Sequence, residues 1–442
     1  MTERLFQADA APANVVIAGG RLVDPVAGFH GEAVDVRIED GRIAEIGRDL
    51  QHPDAETIDA SGLTLTPGLV DPHVHLRTPG DEEEEDIASG TRAAAAGGFV
   101  AILAMPNTSP IVDSAAVLTG LIDTARTQAV VATGFMCAIT AGQLGRRLTE
   151  MGELADAGAA AFSDDGRPVA DAGILRRALQ YCSITGLKLA LHEEDTSLSA
   201  GGQMHEGVVS AELGLRGWPG IAESTMIARD LGLARHEGAP LHICHVSVAD
   251  SVAEIRRARE RGAPVSAEVT PHHLCLTDES VRALDPSTSK MNPPLGSAAD
   301  RAALIEALAD GTLDCIATDH APHHDHEKDA PFEEAPFGVI GLETAFAAVY
   351  THLVEPGLLP LQTVIERMSS GPATAFGLPV PMLQAGRPAD LALWDLGATR
   401  LVEPPYASRS TNCAFAGQTL RGVCRLTVSG GRIAHRLIEA VA

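Results

Sequence analysis

The sequence predicts an α/β fold: a (β/α)8 TIM barrel with a small β-sandwich domain built from both chain ends. In the centre of the chain, eight short apolar runs alternate with amphipathic helical stretches, a pattern typical of a parallel barrel. The two ends instead carry short strand-like runs, and S-G-G-R-I-A at 429–434 resembles E-D-G-R-I-A at 39–44. We therefore assign residues 1–66 and 376–442 to the small β domain and residues 67–375 to the barrel.

The barrel strands are predicted from runs that are almost continuously apolar, as expected for strands covered on both faces. These runs are 69–74, 99–105, 129–136, 159–162, 188–191, 240–244, 264–269 and 314–317. The helical stretches between them include 87–96, 173–185, 224–237, 249–261 and 298–309. An open doubly wound sheet is the alternative architecture, but no Gly-x-Gly-x-x-Gly motif follows the first strand to support it.

Strands of the small domain are predicted at both chain ends by short runs rich in β-forming residues. These runs are 14–18, 33–38, 42–46, 389–394 and 426–429. Asp40-Gly41 lies between the second and third runs and is a typical hairpin turn. The similarity of the two end segments indicates one domain assembled from both ends, with the barrel inserted between them.

Composition and charge exclude several classes of function. The 442 residues are 45% hydrophobic and 21% charged, which indicates a globular protein with one large domain and an accessory one. Its 33 Lys and Arg against 59 Asp and Glu give a net charge of −26, which argues against nucleic acid or an anionic membrane as the partner. An anionic substrate must therefore be bound by a local positive site.

The cysteines and the N-terminus predict where the protein resides. Seven cysteines without a C-x-x-C pair indicate reduced thiols in a cytoplasmic protein. The first residues lack the basic and apolar regions of a signal peptide. No apolar run reaches the roughly 18 residues that a membrane span needs. We therefore expect a cytoplasmic globular protein.

The first candidate metal ligands lie at the end of the first barrel strand, in D-P-H-V-H-L-R at 71–77. Side chains two residues apart in an extended chain point to the same face, so His73 and His75 can hold one divalent metal ion. Arg77 continues the alternation and places a cation beside that metal. An H-x-H motif alone is weak evidence for a metal site, so the residues at the other strand ends are needed to interpret it.

The ends of the other predicted barrel strands also carry residues of the types that bind metal ions. In barrels of this kind the catalytic residues converge at the carboxyl ends of the strands. The candidates at these ends are His73, His75, Asn107, Asp164, Asp165, His192, His245 and Asp319. Histidine and carboxylate ligands suit zinc, manganese or iron, and an open coordination position would hold water. The sequence therefore predicts a metal site at the mouth of the barrel.

With these motifs the chain resembles the amidohydrolase superfamily and, within it, the class I dihydroorotases. The matching segments are 67–77, 105–108, 162–166, 191–194, 242–247, 268–274, 290–294, 316–323 and 335–338. The H-x-H motif would indicate only the superfamily. The segments F-S-D-D-G, K-M-N-P-P and T-D-H-A-P-H together favour the narrower family, and the resemblance extends over essentially the whole chain.

The resemblance implies two zinc ions per subunit. The implied ligands are His73, His75 and Asp319 for one ion, His192 and His245 for the other, and Asp165 as the bridge. Strand alternation does not decide whether Asp164 or Asp165 points inward, and the family pattern selects Asp165. Many amidohydrolases use a carbamylated lysine as the bridge. No lysine ends the fourth strand of this chain, which disfavours hydantoinases and allantoinases.

The resemblance also implies a reaction, the reversible cyclisation of N-carbamoyl-L-aspartate to (S)-dihydroorotate and water in de novo pyrimidine (UMP) biosynthesis. Both molecules carry a carboxylate, and the predicted group that holds it through paired hydrogen bonds is the guanidinium of Arg77. Further implied substrate contacts are His75, Asn107, Asn292, His323, Phe337 and Gly338. A metal lowers the pKa of water to roughly 7. Asp319 is the implied catalytic residue that passes the proton to the departing nitrogen.

Two alternatives stay open. The first is another cyclic-amide hydrolase, such as a hydantoinase or allantoinase. The second is a non-catalytic dihydroorotase-like subunit that scaffolds aspartate transcarbamoylase, although this chain retains every implied ligand. The expected partners are a small-molecule substrate and further copies of the chain, and an association with aspartate transcarbamoylase stays open. No nucleic-acid or membrane partner is expected.

Other polar residues near the strand ends are given structural roles. His272 and His273 follow the seventh strand, and we do not assign them to the substrate. Residues 322–329 are expected to form a solvated, mobile loop over the active site rather than a further metal cluster. Cys244 has no general base placed beside it and is expected to be a small core residue.

Overall fold

The computed structural model describes residues 3–52 and 55–438, so the outermost residues of both predicted end segments lie outside the described residues. Its strands are β1 (Val15–Asp24), β2 (Phe29–Glu39), β3 (Arg42–Gly47), β4 (Glu56–Asp59), β5 (Thr64–Pro67), β6 (Leu69–Val74), β7 (Phe99–Ala104), β8 (Ala132–Cys137), β9 (Ala161–Phe162), β10 (Leu189–Leu191), β11 (Met204–His205), β12 (Gly217–Trp218), β13 (Leu241–Ile243), β14 (Val265–Val269), β15 (Cys315–Ile316), β16 (Leu391–Leu401), β17 (Thr419–Ser429) and β18 (Arg432–Arg436).

The α-helices lie mostly in the central part of the chain, between the short apolar strands. They are α1 (Ile87–Ala96), α2 (Ala115–Gln128), α3 (Met151–Ala157), α4 (Ala172–Thr185), α5 (Thr196–Ser199), α6 (Val208–Leu213), α7 (Ile221–Glu237), α8 (Ala249–Glu260), α9 (Pro271–Cys275), α10 (Pro286–Ser289), α11 (Ala298–Asp310), α12 (Asp325–Lys328), α13 (Ala345–Val349), α14 (Leu361–Met368) and α15 (Ser370–Ala375). A π-helix at Tyr350–Val354 continues α13.

Eight parallel strands form the barrel sheet, in the order β15-β14-β13-β10-β9-β8-β7-β6. The first and last strands meet where Val74 forms a parallel bridge with His320, and the backbone N–H of His75 donates to the carbonyl of His320 at 2.8 Å. Neighbours in the sheet follow chain order without a reversal, which a doubly wound sheet would require. The predicted fold class is confirmed, and each predicted barrel run overlaps an observed strand.

Strands from both chain ends form a second, mixed sheet in the order β18-β17-β16-β5-β1-β2-β3, with β4 paired to β1. The strand β16 pairs with β5 just before the chain enters the barrel at Leu69. This sheet buries its own apolar cluster, which includes Ile17, Leu65 and Leu391. The division of the chain at residues 66 and 375 stays a prediction. Close to the first of these positions, β5 still pairs within the chain-end sheet, whereas β6 pairs within the barrel sheet.

The two similar end segments form two hairpins whose turns pack against each other. Asp40 and Gly41 both have positive φ, 46° and 73°, as the predicted two-residue turn requires. Gly430 and Gly431 form the equivalent turn between β17 and β18, with φ of 55° and 77°. A Cβ atom on Gly41 would lie 2.9 Å from the carbonyl oxygen of Gly431, so a larger residue would separate the two turns.

Polar side chains and glycines define the ends of the barrel helices. The helix α1 begins after Asp86, whose carboxylate accepts a hydrogen bond from Ser89 N at 2.6 Å. The helix α11 begins after Ser297 in the same way and ends at Gly311, which has a φ of 85°. The small sheet of β11 and β12 was not predicted, because strands of two residues carry no alternation pattern. No helix among the described residues is long and apolar enough to cross a membrane.

Candidate metal and substrate site

A cavity of about 540 Å³ opens at the carboxyl ends of the barrel strands. Its lining consists of His75, Arg77, Asn107, Asp165, Gly166, His192, His245, Asn292, Asp319, Ala321, His323, Phe337 and Gly338. Every predicted site residue except His73 lines this cavity, and His73 is fully buried. A second cavity of about 620 Å³ lies between barrel helices and the chain-end sheet, and its lining contains none of the predicted site residues.

One half of the cavity floor brings two histidines from the first strand against two carboxylates. His73 Nε2 lies 3.3 Å from Asp319 Oδ1 and 3.5 Å from Asp165 Oδ1. His75 Nε2 lies 3.1 Å from Asp319 Oδ1 and 3.5 Å from Asp165 Oδ2. These separations are those of ligands that converge on a common point, and His73, His75 and Asp165 together could hold a metal ion.

The other half of the floor adds two histidines from the fifth and sixth strands. His245 Nε2 lies 3.7 Å from Asp165 Oδ1, and His192 Nδ1 lies 4.0 Å from the same oxygen. These three residues form a second group that could hold a metal ion. Asp165 belongs to both groups, so its carboxylate can contact two ions at once. We call His73, His75, Asp165, His192, His245 and Asp319 the metal-ligand cluster.

Two unsatisfied atoms in this cluster fit a metal ion. His73 Nε2 and Asp165 Oδ1 are buried and have no hydrogen-bond partner. Buried polar atoms normally find a partner, because leaving one unpaired costs about 1–3 kcal/mol. An imidazole nitrogen and a carboxylate oxygen aimed at the same point are the donor types that zinc and similar divalent ions prefer. The residues present therefore suit a bound metal.

The two neighbouring aspartates after β9 point in opposite directions. Asp165 faces the histidines, as the family pattern requires. Asp164 faces away, where its Oδ1 accepts hydrogen bonds from the backbone N–H groups of Ile139 (2.8 Å) and Thr140 (3.1 Å). Burial raises the pKa of Asp164 to about 6, although these hydrogen bonds oppose the shift. The geometry therefore favours Asp165 as a ligand and gives Asp164 a role in fixing the adjacent loop.

Three of the four ligand histidines have a partner at the second ring nitrogen, and of these partners only Asn107 was among the predicted site residues. His73 Nδ1 lies 2.7 Å from Glu268 Oε1, and His192 Nε2 lies 3.0 Å from Glu194 Oε2. His75 Nδ1 lies 2.9 Å from Asn107 Oδ1. Such contacts fix the ring orientation. The other ring nitrogens face the cluster, where His75 Nε2 lies 3.1 Å from Asp319 Oδ1 and His192 Nδ1 lies 2.9 Å from His245 Nε2. A signal for Glu268 existed in the sequence, since it is a charged residue inside an otherwise apolar barrel strand.

The charges of the cluster keep its carboxylates ionised. Burial alone would raise the pKa of Asp165, but His73 and His245 hold it well below its usual range. Burial acts in the same direction on Asp319, and His73 and His75 again hold its pKa below the usual range. Both side chains are therefore carboxylates at neutral pH. As carboxylates they can bind a cation, and Asp319 can also accept a proton.

Cys244 lies beside the cluster but does not extend it. Its sulfur is within 4.8 Å of ligand atoms of His73 and Glu268. The distance of 2.7 Å between His73 Nδ1 and Glu268 Oε1 is that of a hydrogen bond and is too short for two ligands on one ion, each about 2.0 Å from it. Burial also raises the pKa of the Cys244 thiol well above its usual range. These features agree with a small core residue.

Arg77, whose guanidinium is predicted to bind the substrate carboxylate, lies at the rim of the cavity and contacts three neighbours. Arg77 Nε lies 3.0 Å from Glu84 Oε2 and donates to the carbonyl of Pro322 at 3.0 Å. Its Nη2 lies 3.3 Å from His323 Nε2. Glu84 also approaches His323 Nδ1 at 3.5 Å, so one carboxylate contacts both predicted substrate residues. We call Arg77, Glu84 and His323 the clamp.

The remaining predicted contacts are Asn292, Phe337 and Gly338, and the backbone of Phe337 and Gly338 lies next to His323 of the clamp. Asn292 Oδ1 is buried without a hydrogen-bond partner, so an acceptor is available to a substrate N–H. The carbonyl of Phe337 lies 2.8 Å from His323 Nε2. Gly338 has a φ of 138°, and a Cβ atom there would lie 2.9 Å from His323 Nε2. Only glycine therefore allows this close approach of the backbone to the clamp.

Three site residues adopt a backbone conformation that is uncommon outside glycine. Arg77, His245 and Asp319 have φ of 52°, 32° and 49°. Such strain persists where the surroundings hold it. Before Asp319, the Thr318 N–H donates to Asp71 Oδ1 at 3.1 Å, and the same oxygen accepts from His73 N at 3.1 Å. Asp71 thereby joins the ends of the first and last barrel strands.

The expectation of a solvated loop at residues 322–329 is wrong for part of the segment. Lys328 is buried, and its Nζ donates to the carbonyls of Pro286 (3.0 Å) and Pro336 (2.9 Å). Sequence reasoning missed this anchor because the acceptors are backbone atoms of distant loops. His272 and His273 are buried, and His273 Nε2 lies 3.0 Å from the carbonyl of Pro293, which agrees with a structural role.

The chain is similar to known proteins over nearly its whole length. A family model described as dihydro-orotase-like matches residues 62–251. A dihydroorotase from Pelotomaculum thermopropionicum is 51% identical over 95% of this chain and 98% of that protein. A dihydroorotase from Anaeromyxobacter sp. (strain K) is 48% identical over 95% of this chain and 97% of that protein.

Among solved structures, an L-hydantoinase (dihydropyrimidinase) from Arthrobacter aurescens superposes with a TM-score of 0.86 at 27% identity, over 97% of this chain and 98% of that chain. The barrel and its histidine–aspartate mouth define the class as a TIM-barrel amidohydrolase. Within that class the chain belongs to the dihydroorotase family, because its identity to those relatives extends over nearly its whole length. The predicted family is confirmed, and so is the prediction of an enzyme.

Proposed function

We propose that the protein is a dihydroorotase that interconverts N-carbamoyl-L-aspartate and (S)-dihydroorotate in pyrimidine biosynthesis. The observation that carries the proposal is the convergence of the metal-ligand cluster and the clamp on one cavity of about 540 Å³. A hydrolytic metal site alone would serve many amides. A guanidinium at its rim selects an amide that also carries a carboxylate.

The metal-ligand cluster would hold two zinc ions. The proposed ligands are His73, His75 and Asp319 for one ion, His192 and His245 for the other, and Asp165 between them. Family membership implies a metal, while zinc as its identity and two as its number belong to the proposal. When bound, the metal supplies Lewis-acid chemistry: it activates water at neutral pH and polarises the amide carbonyl.

Asp319 is the proposed proton carrier. Its cationic surroundings keep the carboxylate ionised, so it can take a proton from the attacking nucleophile. It lines the cavity, where the same oxygen can pass that proton to the departing ring nitrogen. In the direction of synthesis the carboxylate receives the proton from the ureido nitrogen as the ring closes. One residue therefore serves both directions.

Arg77 and Asn107 are the proposed donors to the substrate carboxylate. Glu84 and the carbonyl of Pro322 both engage Arg77 Nε, and Nη2 lies 3.3 Å from His323 Nε2, so Nη1 and the remaining N–H of Nη2 are the donors proposed for the substrate. Asn107 Oδ1 lies 2.9 Å from His75 Nδ1 and accepts its proton, so the amide N–H groups of Asn107 remain as donors. Substrate contacts from His75 and His323 belong to the same proposal.

The ring or ureido part of the substrate would contact Asn292 and the backbone of Phe337 and Gly338. Asn292 offers its unpaired Oδ1 as an acceptor for a ring N–H. The backbone at Phe337 and Gly338 comes close enough for direct contact because Gly338 has no side chain. The substrate would thus be held at its carboxylate by Arg77 and Asn107 and at its amide nitrogen by Asn292.

The two alternative functions are not favoured. A hydantoinase-like enzyme shares the barrel, but the relatives of high identity are dihydroorotases. A non-catalytic scaffold would have no use for a complete metal-ligand cluster with unpaired atoms at its centre. Self-association and association with an aspartate transcarbamoylase are part of the proposal. So is a cytoplasmic location, which the seven free cysteines support.

Substrate selectivity tests the proposed function. Purified, metal-loaded protein is assayed with dihydroorotate, with dihydrouracil, which lacks the carboxylate, and with hydantoin. We expect efficient ring opening of dihydroorotate, ring closure of carbamoyl-L-aspartate, and rates at least about tenfold lower for the rings without a carboxylate. Equal rates for dihydrouracil and dihydroorotate would favour the hydantoinase alternative. No reaction with any substrate at full metal loading would favour the scaffold.

A further inference from the structure

A chain of polar side chains runs through the barrel interior beneath the metal-ligand cluster, beginning at the half-buried Lys188 and continuing through buried residues. Lys188 Nζ lies 2.8 Å from Ser266 Oγ, which lies 2.8 Å from His242 Nδ1. His242 Nε2 lies 2.9 Å from Glu268 Oε2, and Glu268 Oε1 lies 2.7 Å from His73 Nδ1. The interiors of such barrels are ordinarily packed with branched apolar side chains. A continuous polar chain there needs a reason.

The donors and acceptors along this chain can be arranged in only one consistent direction from the lysine inward. An ammonium group only donates, so Ser266 Oγ accepts from Lys188 and gives its own proton to His242 Nδ1. His242 must then carry its proton on Nε2, from which it donates to Glu268. Glu268 is contacted at Oε2 by His242 Nε2 and at Oε1 by His73 Nδ1 and the backbone N–H of His245, so it acts as a carboxylate that accepts at both oxygens.

The direction of the chain determines the form of His73. Because Glu268 Oε1 accepts, His73 donates from Nδ1, so Nε2 is the ring nitrogen that faces Asp165 and Asp319. That nitrogen is the buried atom without a partner at the centre of the metal-ligand cluster. Glu268 Oε1 also accepts from the backbone N–H of His245 at 3.3 Å. One carboxylate therefore contacts ligands of both halves of the cluster.

We propose that Glu268 and His242 are positioning residues that fix His73 in the form that binds metal, with Ser266 and Lys188 orienting His242 from below. The inference rests on the metal site of the proposed function and does not depend on the substrate. Partners of this kind typically change metal affinity by about 10–100-fold when they are altered. Neither Glu268 nor His242 lines the substrate cavity.

Paired variants test the inference through metal affinity. In Glu268→Gln, one end of the side chain becomes an amide that only donates, so it opposes the N–H of either His73 or His242. In His242→Phe, the ring shape remains against Phe376, at 4.7 Å between ring centroids, but the donor to Glu268 is lost. In His242→Gln, the amide can replace the Nε2–H donor.

Zinc affinity is measured by competition with a chromophoric chelator, and the cobalt-loaded forms are compared by their absorption spectra. We expect Glu268→Gln to bind zinc about 10–100-fold more weakly than the unaltered protein. We expect His242→Phe to bind it about tenfold more weakly and His242→Gln to stay within about threefold. The cobalt spectrum should shift in the first two variants and stay unchanged in His242→Gln.

A matched control separates positioning from loss of stability. Asp24 is a fully buried carboxylate in the chain-end sheet and accepts from Leu383 N at 2.8 Å. Asp24→Asn should lower the unfolding midpoint and leave zinc affinity within about threefold. Unchanged affinity in both Glu268→Gln and His242→Phe, or an equal loss in Asp24→Asn, would overturn the inference. If Glu268→Gln does not fold, the difference between His242→Phe and His242→Gln decides, and equal affinities would contradict it.

The readout is independent of the reaction. Zinc affinity and the cobalt spectrum are measured without substrate. A protein that fails to cyclise carbamoyl-aspartate could still show the graded loss of affinity. An active dihydroorotase could likewise show no such loss. The two proposals therefore fail in distinguishable ways.

Discussion

The two sides of the barrel mouth, the metal-ligand cluster and the clamp, are built by different means. The ligands of the cluster follow directly from barrel strands, and a fixed neighbour engages the second nitrogen of His73, His75 and His192. The clamp lies in the loops after the first and last strands. Arg77 and His323 each keep 14% of their side-chain surface exposed, against none for His73.

This difference separates the residues proposed to carry out the reaction from those proposed to select the substrate. A site set on strand ends and supported by buried partners holds its geometry closely, which metal catalysis requires. A clamp on loops can change without altering the barrel, so the same metal site can serve other amides in other members of the class. Substitutions in the cluster should therefore change turnover and metal content. Substitutions in the clamp should change substrate recognition and leave the metal in place.

The largest effect on turnover is expected for Asp319→Asn, a substitution in the metal-ligand cluster. Asparagine is nearly isosteric and keeps an oxygen for the metal, but it cannot take the proton from the nucleophile. We expect kcat to fall by about 10²–10⁴-fold with a much smaller change in KM. Steady-state kinetics on protein of known metal content measures this. Near-normal turnover at full metal occupancy would place the proton carrier elsewhere.

A large effect on metal content is expected for Asp165→Ala, with Asp164→Ala as the matched control. Removing Asp165 leaves His192 and His245 as the only protein ligands of one ion, so at least one ion per chain should be lost on elemental analysis. Asp164→Ala should retain both. The proposed bridge is a ready-made carboxylate, so zinc reconstitution should recover equally with and without bicarbonate. A need for bicarbonate, or metal loss confined to Asp164→Ala, would mean that the bridge is misassigned.

Arg77→Lys should give a smaller effect, confined to recognition. Lysine keeps the charge but loses the paired hydrogen bonds, and a charge-assisted hydrogen bond is worth roughly 1.5–3 kcal/mol. We expect kcat/KM for dihydroorotate to fall on the order of tenfold, while metal content stays unchanged. Kinetics identical to those of the unaltered protein would exclude Arg77 from the clamp. Loss of metal from Arg77→Lys would contradict the division of roles between the clamp and the metal-ligand cluster.

The smallest effect is expected for Glu84→Gln and appears as a dependence of stability on pH. Burial would raise the pKa of Glu84, but His323 and Arg77 lower it from 4.5 to about 2. The pairing therefore stabilises the folded state above about pH 4.5, and this contribution is lost as the pH falls toward 2. We expect the variant to be about 1 kcal/mol less stable at pH 7 and to match the unaltered protein near pH 2. Urea unfolding across this range measures the difference, and a constant gap would contradict the pairing.

The same contrast explains how much of the molecule the sequence could predict. His73, His192 and Asp319 could be proposed because each follows a continuous apolar run, and such runs mark barrel strands whose ends meet. The choice between Asp164 and Asp165 needed the structure, because the turn after a two-residue strand does not maintain alternation. The hairpin at Asp40-Gly41 was predictable because its turn residues act locally.

What could not be predicted depends on contacts between distant segments. Residues 81–86 form a continuous acidic run that suggests a solvated surface. In the structure Glu84 belongs to the clamp, and the buried Glu85 lies 3.1 Å from His320 Nε2. Lys328 likewise appears solvated in the sequence and is buried by carbonyls of two other loops. Neither pairing leaves a local pattern, since the partners are far apart in the chain.

Stepwise metal reconstitution tests whether ring closure depends on metal bound by the metal-ligand cluster. Metal-free protein is titrated with zinc while ring closure of carbamoyl-L-aspartate and bound metal per chain are recorded together. We expect no measurable ring closure without metal, a rise in ring closure as metal is loaded, and a plateau at two ions per chain. Full activity in protein that elemental analysis finds metal-free, or no ring closure at full loading, would contradict it.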